Sequence, residues 1–266
     1  MYKITEKPCF IMSPIANFKS EDAKKVKLVA TDFDGTVTEK GQLTVAAIEA
    51  ISQLPTVGIK LIIVTGRSAG WVNGLRNYLP VDGSIAENGG VYYHDPEASP
   101  DFLVSIPSRN QHRQNLESVF QQLKVSFPHL QESPDNAFRF TDWTFDVAGL
   151  SIADLKQIAE ECQQQGYGFT YSSVQCHIKP QLQDKASGLQ TVLKTYFPDI
   201  SNEEVLTIGD SPNDESLFNP EIFPISVGVA NIKPYQQQLT HIPKYVTEAS
   251  EGKGFSELVN YLIPPF

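Results

Sequence analysis

The feature that most constrains the fold is a short apolar segment that runs directly into a cluster of acidic residues. Residues 26–31 read Val-Lys-Leu-Val-Ala-Thr, and Asp-Phe-Asp-Gly-Thr follows at 32–36. Thr44 can cap a helix whose apolar residues recur at helical spacing, and the apolar segment at 59–64 has the pattern of a second buried strand. Strand, helix and strand in this order are the unit of a parallel sheet. The pattern therefore predicts an α/β fold.

Polar clusters also follow two later strands. Thr65, Gly66 and Arg67 come after the strand at 59–64, and Gly-Asp-Ser-Pro-Asn-Asp at 209–214 comes after the apolar Val-Leu-Thr-Ile. Ligands of open α/β sheets bind outside the carboxyl ends of the strands, so we expect these loops to converge on one point. Clustered carboxylates with no cysteine and scarcely a histidine suit a hard cation such as Mg²⁺ rather than zinc.

The middle of the chain has a different pattern. The residues at 85–93, Ile-Ala-Glu-Asn-Gly-Gly-Val-Tyr-Tyr, predict a hairpin, and alternating strands and two helical segments follow. After about residue 180 the pattern of the first part returns. We therefore predict a Rossmann-like, doubly wound parallel sheet formed by 1–90 and 181–266, interrupted by an inserted α+β domain at 91–180.

Composition narrows the function classes. The 266 residues carry a formal net charge of −10, which argues against binding to nucleic acid or to an anionic membrane. The apolar run at 61–64 is far short of the roughly 20 residues of a membrane span, and no signal peptide is apparent at the start. Cys9, Cys162 and Cys176 are odd in number and lack CxxC spacing. Free thiols and a cytoplasmic location are therefore expected.

The polar clusters resemble the motifs of the haloacid dehalogenase (HAD) superfamily of phosphotransferases. The residues at 32–38, Asp-Phe-Asp-Gly-Thr-Val-Thr, are similar to the family's DxDGT[LV][TS] motif, and Val-Thr-Gly-Arg at 64–67 is similar to its second motif. Lys185 matches the third motif, and 209–214 matches the GDxxND fourth motif. Because 120 residues separate Thr65 from Lys185, the resemblance is to the Cof-like and sucrose-phosphate-phosphatase branch, which has an α/β cap.

The resemblance implies catalytic roles for individual residues. Asp32 is expected to be the nucleophile that forms an aspartyl-phosphate, and Asp34 the general acid and base. Thr65 and Gly66 are expected to hold the phosphoryl oxygens, and Lys185 to neutralise them.

The resemblance also implies a Mg²⁺ site. Its ligands are expected to be Asp32, the backbone carbonyl of Asp34, and Asp210, with support from Asn213 and Asp214. This cation would offset the repulsion between the phosphate and the carboxylates.

Three further residues are candidates for binding the phosphate or the substrate. Arg67 follows the second motif, although an ion pair would explain it equally well. Asn88 matches the Asn-Gly-Gly signature of the branch, and it also suits a hairpin turn. His177 lies with Gln175 and Lys179 on the polar face of a strand. We expect this face to be exposed to solvent and within reach of the leaving group.

The sequence thus predicts a Mg²⁺-dependent phosphatase that acts on a small phosphorylated metabolite, with a sugar phosphate preferred, as a monomer or homodimer. Two alternatives stay open. A phosphomutase of the phosphomannomutase type would need several cap arginines, and the insert offers Arg109, Arg113 and Arg139. A two-component receiver also combines acidic residues with Thr and Lys, but it is about half as long and places its phosphoacceptor on a later strand than its acidic pair.

Overall fold

The structure is a computed structural model that describes residues 11–95, 97–106 and 108–263. Its strands are β1 Ser13–Pro14, β2 Leu28–Thr31, β3 Lys60–Val64, β4 Gly83–Ala86, β5 Val91–Tyr93, β6 Asp101–Phe102, β7 Trp143–Asp146, β8 Tyr167–Tyr171, β9 Gln175–Pro180, β10 Val205–Gly209, β11 Ile225–Gly228 and β12 Tyr245–Val246. Its α-helices are α1 Ser20–Lys25, α2 Val45–Gln53, α3 Ala69–Leu75, α4 Arg109–Ser126, α5 Ile152–Gln164, α6 Lys185–Tyr196 and α7 Glu251–Leu262.

The larger sheet has nine strands in the order β1-β12-β11-β10-β2-β3-β4-β5-β6. Neighbouring strands are parallel from β1 to β4, and β5 and β6 add an antiparallel edge. The central strands β2 and β10 are buried along their whole length, as expected for strands that are covered on both faces. The order confirms the predicted doubly wound α/β fold.

Apolar helices cover each face of this sheet. Ile51 of α2 and Phe255 of α7 pack in the core on one face, and Leu189 and Val192 of α6 pack in the core on the other. The predicted cap of α2 is confirmed, since the Thr44 hydroxyl accepts a hydrogen bond from the α2 backbone. The helices thereby hold the carboxyl ends of the central strands at one edge, where the polar loops emerge.

The insert is a second sheet with its own core. Its strands run antiparallel in the order β7-β9-β8, and α4 and α5 pack against them. Leu116, Phe120, Phe145, Ile158 and Ile178 are fully buried between the helices and this sheet. These strands and helices, here called the insert, share a core separate from the cores that flank the large sheet.

The free thiols that were expected are partly confirmed. Cys162 and Cys176 are buried in the core of the insert, and neither forms a disulfide. Cys9 lies outside the described residues.

One predicted boundary differs from the structure. The hairpin at 85–93 is present, but its second strand β5 continues the large sheet, and β6 pairs with it up to Phe102. The prediction had assigned these residues to the insert, which was placed at 91–180. Alternating apolar residues show that a segment is a strand, but they do not show which sheet it joins. The division into two domains stays a prediction.

Among the residues that the structure describes, no helix combines the length and the apolar character that crossing a membrane would require.

The turn between β4 and β5 generates a stability prediction. Gly89 has φ +99°, and a Cβ added there would overlap the backbone carbonyl of Asp184, the residue before Lys185. Gly58 also has a positive φ, of +76°, but a Cβ there would meet nothing within 4 Å. We expect Gly89→Ala to lower the free energy of unfolding by about 3 kcal/mol or more, and Gly58→Ala by about 1 kcal/mol.

Urea denaturation of both variants measures this difference. Equal losses for the two would show that backbone conformation alone, and not the close approach at Gly89, sets the cost.

Candidate active site

The centre of the site is a buried lysine between two carboxylates. Asp32 directly follows β2, and Lys185 is the first residue of α6. The Lys185 Nζ lies 2.5 Å from Asp32 Oδ1 and 2.6 Å from Asp214 Oδ1. Although the chain separates Asp32 from Lys185 by 153 residues, the sheet brings them into contact. The convergence expected from the sequence is therefore present in the structure.

The loop after β10 holds the acidic residues of the fourth motif. Asp214 Oδ2 accepts hydrogen bonds from the backbone N–H groups of Asp210 at 2.9 Å and Ser211 at 3.1 Å. The bond to Ser211 caps the short 3-10 helix Pro212–Phe218, and the bond to Asp210 ties the backbone before it to the same carboxylate. Carboxylate oxygens of Asp32, Asp210 and Asp214 lie within 4.8 Å of one another, and all three residues are buried.

Crowding of these carboxylates perturbs their protonation. Burial, together with the neighbouring carboxylates of Asp214 and Asp34, raises the pKa of Asp32 to about 7 against the opposing effect of Lys185. Burial and the neighbouring carboxylates of Asp32 and Asp214 raise the pKa of Asp210 well above its usual value. Burial lowers the pKa of Lys185, but its two carboxylate partners outweigh this effect and raise it. Three carboxylates face one ammonium group, so two negative charges of the cluster lack a counter-charge.

The donor set fits a divalent metal ion. Asp210 Oδ1 is buried and has no hydrogen-bond partner, whereas Asp210 Oδ2 accepts a bond of 2.8 Å from Asn231 Nδ2. A buried carboxylate oxygen without a donor is costly unless a cation or water binds it. Hard oxygen ligands and an excess of negative charge are the chemistry that Mg²⁺ prefers. Asp32 and Asp210 are therefore the residues best placed to hold Mg²⁺.

Arg67 pairs with Asp34. Its Nε and one terminal nitrogen donate to the two Asp34 carboxylate oxygens at 2.7 and 2.6 Å, and its guanidinium also lies 4.9 Å from the centre of the Trp71 ring. A bidentate pair of this kind orients a carboxylate strongly. The ion pair was the alternative explanation of Arg67, and in this structure the side chain makes that pair; phosphate binding by Arg67 stays a prediction.

The second motif and the hairpin turn meet beside this pair. The Thr65 hydroxyl accepts a bond from the Arg67 backbone, and the Thr65 carbonyl accepts one of 3.0 Å from the Asn88 N–H. Asn88 Oδ1 accepts from Asn213 Nδ2 at 3.0 Å, while Asn88 Nδ2 is buried without a partner. A Cβ at Gly66 would lie 3.2 Å from Asn88 Oδ1, so this amide packs against the loop expected to hold phosphate. An unpaired N–H donor here is available to an anion.

The insert covers the site with the polar face of β9, which was expected to be exposed to solvent. That expectation is wrong: His177 and Lys179 are 1% and 7% exposed. His177 Nδ1 lies 2.8 Å from Asp142 Oδ2, and the Lys179 ammonium donates to the carbonyl of Gln183. Polar residues on alternate positions of a strand normally face water. In this structure, the polar face of β9 packs instead against the part of the chain that contains the large sheet.

His177 is held as a neutral imidazole. Burial lowers its pKa, and the partly opposing effect of Asp142 does not reverse this direction. His177 lines a narrow cavity between the insert and the large sheet, which opens to solvent and has an inner volume of about 20 Å³. The other lining residues are Asp32, Asp34, Thr65, Gly66, Arg67, Ser172, Val174, Gln175, Ser211 and Asn213.

Sequence reasoning missed the residues that join the two parts of the site. Asn231 binds Asp210 and also donates to the Gly35 carbonyl at 3.0 Å. Glu87 is fully buried, and its carboxylate accepts from the N–H of Ala69 in the core and from the N–H and hydroxyl of Thr141 in the insert. The acidic residue before Asn-Gly-Gly was visible in the sequence, but nothing identified its partners.

The site combines a carboxylate beside a lysine, a second carboxylate two residues later and an acidic loop, all at the carboxyl ends of parallel strands. This combination defines a HAD-type phosphatase. The family model described as sucrose-6F-phosphate phosphohydrolase matches residues 25–262, and the chain belongs to that family. It is a hydrolase of phosphoric monoesters.

Similar proteins agree with this class. Phosphoglycolate phosphatase 1 of Saccharolobus solfataricus is 29% identical over 90% of this chain and 96% of the relative, and phosphoglycolate phosphatase of Methanothermobacter thermautotrophicus is 28% identical over 88% and 97%. Among solved structures, a protein of Thermoplasma acidophilum has a TM-score of 0.71 at 22% identity, covering 89% of this chain and 98% of that one. The sucrose-phosphatase of Synechocystis has a TM-score of 0.66 at 18% identity, covering 88% and 97%. These two structures support the fold alone.

Asn231 generates a prediction about the metal site. Replacing it with Ala removes the donor that orients Asp210 Oδ2, and loss of such an outer partner typically costs 10- to 100-fold in metal affinity or activity. We expect Asn231→Ala to raise the Mg²⁺ concentration needed for half-maximal activity by roughly tenfold or more. The measurement is phosphate release against Mg²⁺ concentration.

Asn77→Ala is the matched control, because Asn77 is exposed and its side-chain amide donates a hydrogen bond to the carbonyl of Asn73, four residues earlier. A shift of the same size in both variants would contradict a specific role for Asn231.

Proposed function

We propose that the protein is a Mg²⁺-dependent phosphatase that hydrolyses a small phosphorylated metabolite through an aspartyl-phosphate on Asp32. One observation carries the proposal. The Lys185 ammonium lies between Asp32 and Asp214, beside the unpartnered oxygen of Asp210. A nucleophilic carboxylate needs such positive charge nearby, because it must approach a phosphate that is itself negative. Bound Mg²⁺ would supply the remaining positive charge and orient the phosphoryl group.

The residues divide the reaction into two displacements. An Asp32 oxygen attacks phosphorus, the bond to the leaving oxygen breaks, and Asp34 gives that oxygen a proton. Asp34 then takes a proton from water, which attacks the phosphorus and releases phosphate and free Asp32. Lys185 favours the ionised, nucleophilic form of Asp32, and Thr65 and Gly66 hold the oxygens of the transferring group.

The cavity supports a leaving group rich in hydroxyls. From the insert it presents Ser172, Gln175 and the neutral His177, which can exchange hydrogen bonds with hydroxyls. Arg67 is the permanent cation among the lining residues, and its guanidinium is already paired with Asp34. A carboxylate on the leaving group would thus find no free counter-charge in this lining. We therefore prefer a sugar phosphate over phosphoglycolate, the substrate in the names of the similar proteins.

The position of the insert arginines favours hydrolysis over a mutase reaction. A phosphomutase would direct cap arginines toward the catalytic cavity to hold a second phosphate. Arg109, Arg113 and Arg139 instead line a different cleft of the insert. A receiver role is disfavoured because the candidate nucleophile follows β2 and a separate insert covers it.

We further propose that the protein acts in the cytoplasm as a monomer or homodimer, without a nucleic-acid or membrane partner. The net charge of −10 and the two free, buried cysteines support this proposal.

A screen of phosphorylated metabolites tests the substrate class. We expect Mg²⁺-dependent phosphate release to be fastest with a sugar phosphate and to disappear with EDTA. Faster release from phosphoglycolate would overturn the preference for sugars, and full activity after exhaustive chelation would overturn the metal dependence.

The nucleophile has a direct test. Asp32→Asn keeps the shape of the side chain but cannot form the mixed anhydride, so we expect at least about a 1,000-fold loss of kcat with an unchanged far-UV circular dichroism spectrum. Asp199→Asn, at an exposed position, is the control and should keep wild-type activity. Substantial turnover by a clean Asp32→Asn preparation would place the nucleophile elsewhere.

His177 tests recognition of the leaving group. Removing a hydrogen-bond partner weakens binding of substrates that use it, so we expect His177→Ala to raise KM for the best substrate roughly tenfold. KM for p-nitrophenyl phosphate, whose leaving group has no hydroxyl to bind, should change little. His129→Ala serves as control on the exposed surface of the insert. Equal changes of KM for both substrates would mean that His177 supports the structure only.

A further inference from the structure

The insert carries a second cleft, away from the catalytic cavity. It lies between the first turns of α4 and the chain around 132–143, and it encloses about 870 Å³, part of it open to solvent. Arg109, Arg113, Arg139 and Trp143 line it, and we call it the arginine cleft. Neither the proposed chemistry nor the candidate substrate site uses these residues.

Two cations of the arginine cleft, Arg109 and Arg113, form no ion pair with the described residues. Within the described residues, no carboxylate lies within 4.0 Å of Arg109 or Arg113. Arg113 is half-buried, covers the Trp143 ring at 4.4 Å, and donates to the carbonyls of Asp142 and Asn136. These hydrogen-bond partners are neutral, and the buried carboxylates of Asp142 and Glu87 act on the Arg113 charge without pairing with it. Taking a cation partly out of water without a counter-charge is unfavourable, so an anion would stabilise this arrangement.

Two buried N–H groups that line the cleft also lack partners. Arg139 donates through its terminal nitrogens to Asp135, Asp142 and the Gly66 carbonyl, but its Nε–H has no acceptor. Trp143 is 7% exposed, and its Nε1–H has no acceptor either. Most buried polar groups are satisfied, so each exception calls for an explanation, such as a bound ion. Both exceptions here are donors, which makes the missing group an acceptor.

The rest of the lining agrees with a negative ligand. The N-terminus of α4, a helix of 18 residues, begins at the cleft, and its end carries partial positive charge. Glu132 is the acidic residue of the lining, and its exposed side chain faces water. Arg139 is already paired with Asp135 and Asp142, so Arg109 and Arg113 are the two guanidinium groups of the lining that form no ion pair with the described residues.

We propose that the arginine cleft is a binding site for a phosphate group, carried either by inorganic phosphate or by a phosphorylated metabolite. A phosphate offers several acceptor oxygens and up to two negative charges, and guanidinium groups bind it in a bidentate manner. The same Arg139 that lines this cleft holds the carbonyl of Gly66 and the carboxylate of Asp142, which positions His177. A bound phosphate would therefore contact the side chain that joins the insert to the catalytic loop.

Titration of the full chain with inorganic phosphate in EDTA tests the proposal. Without a divalent metal, the uncompensated carboxylates of the catalytic site repel phosphate, so binding reports on the arginine cleft. Calorimetry should give one phosphate per chain, and Trp143 fluorescence should change on binding. Because the titration involves neither metal nor turnover, its outcome is independent of the proposed function.

Variants locate the site. Arg109→Gln and Arg113→Gln should each weaken phosphate binding about tenfold, because each removes a charge-assisted contact. Lys156→Gln removes a charge from an exposed position elsewhere on the insert and should bind as the wild type does. Arg109 is exposed, so its replacement does not endanger the fold even if Arg113→Gln does. Trp143→Phe removes one of the unpaired donors, so it should weaken phosphate binding in the calorimeter and lose the fluorescence change.

A parallel titration with glucose 6-phosphate in EDTA distinguishes the two sources. Tighter binding of the ester than of inorganic phosphate assigns the site to a phosphorylated metabolite, and the reverse order assigns it to free phosphate. No binding of either probe at millimolar concentration would overturn the proposal. Affinities equal to wild type in both arginine variants would overturn it as well.

Discussion

The ion pairs of Lys185 are the interactions on which the candidate active site depends. Its ammonium separates Asp32 from Asp214, and without it three buried carboxylates would crowd together. Such a cluster is unfavourable unless positive charge is supplied, which explains why Lys185 stays charged despite complete burial. Lys185 supplies one positive charge to three carboxylates, so the cluster can also bind a divalent cation. The lysine begins α6, directly after the chain returns from the insert, so the geometry of this return positions the central charge.

A second polar network couples the insert to this centre. Glu87 accepts hydrogen bonds from both the core and the insert, and Arg139 reaches from the insert to the Gly66 carbonyl. Burial raises the pKa of Glu87, yet its donors and the Arg139 charge hold the carboxylate in place. Buried polar groups are costly when unpaired. Separation of the insert from the core would expose several of these groups to solvent or leave them without hydrogen-bond partners. The network therefore favours the closed arrangement, in which His177 faces the cavity.

Much of the fold and part of the site could be predicted from local patterns. Apolar strands followed by polar turns identified β2, β3 and β10, and Thr44 capped the helix expected of it. The exposed face expected for His177 and Lys179 was wrong, because period-two alternation reports polarity and not the identity of the packing partner. The partners of Asn231 and Arg139 could not be predicted either. Their contacts join segments distant in sequence, and no local period or motif encodes such pairs.

The sequence by itself determined the strand–helix–strand units of the parallel sheet, the chemical types gathered at the strand ends and the presence of an insert. These follow from hydrophobic periodicity and from the rule that parallel strands deliver their following loops to one edge. Only the tertiary structure decided that Arg67 binds Asp34, that the polar face of β9 is buried, and that three insert arginines gather in a separate cleft. Each of these depends on how segments distant in the sequence pack together. That packing is set by contacts between distant segments, which periodicity along one chain does not record.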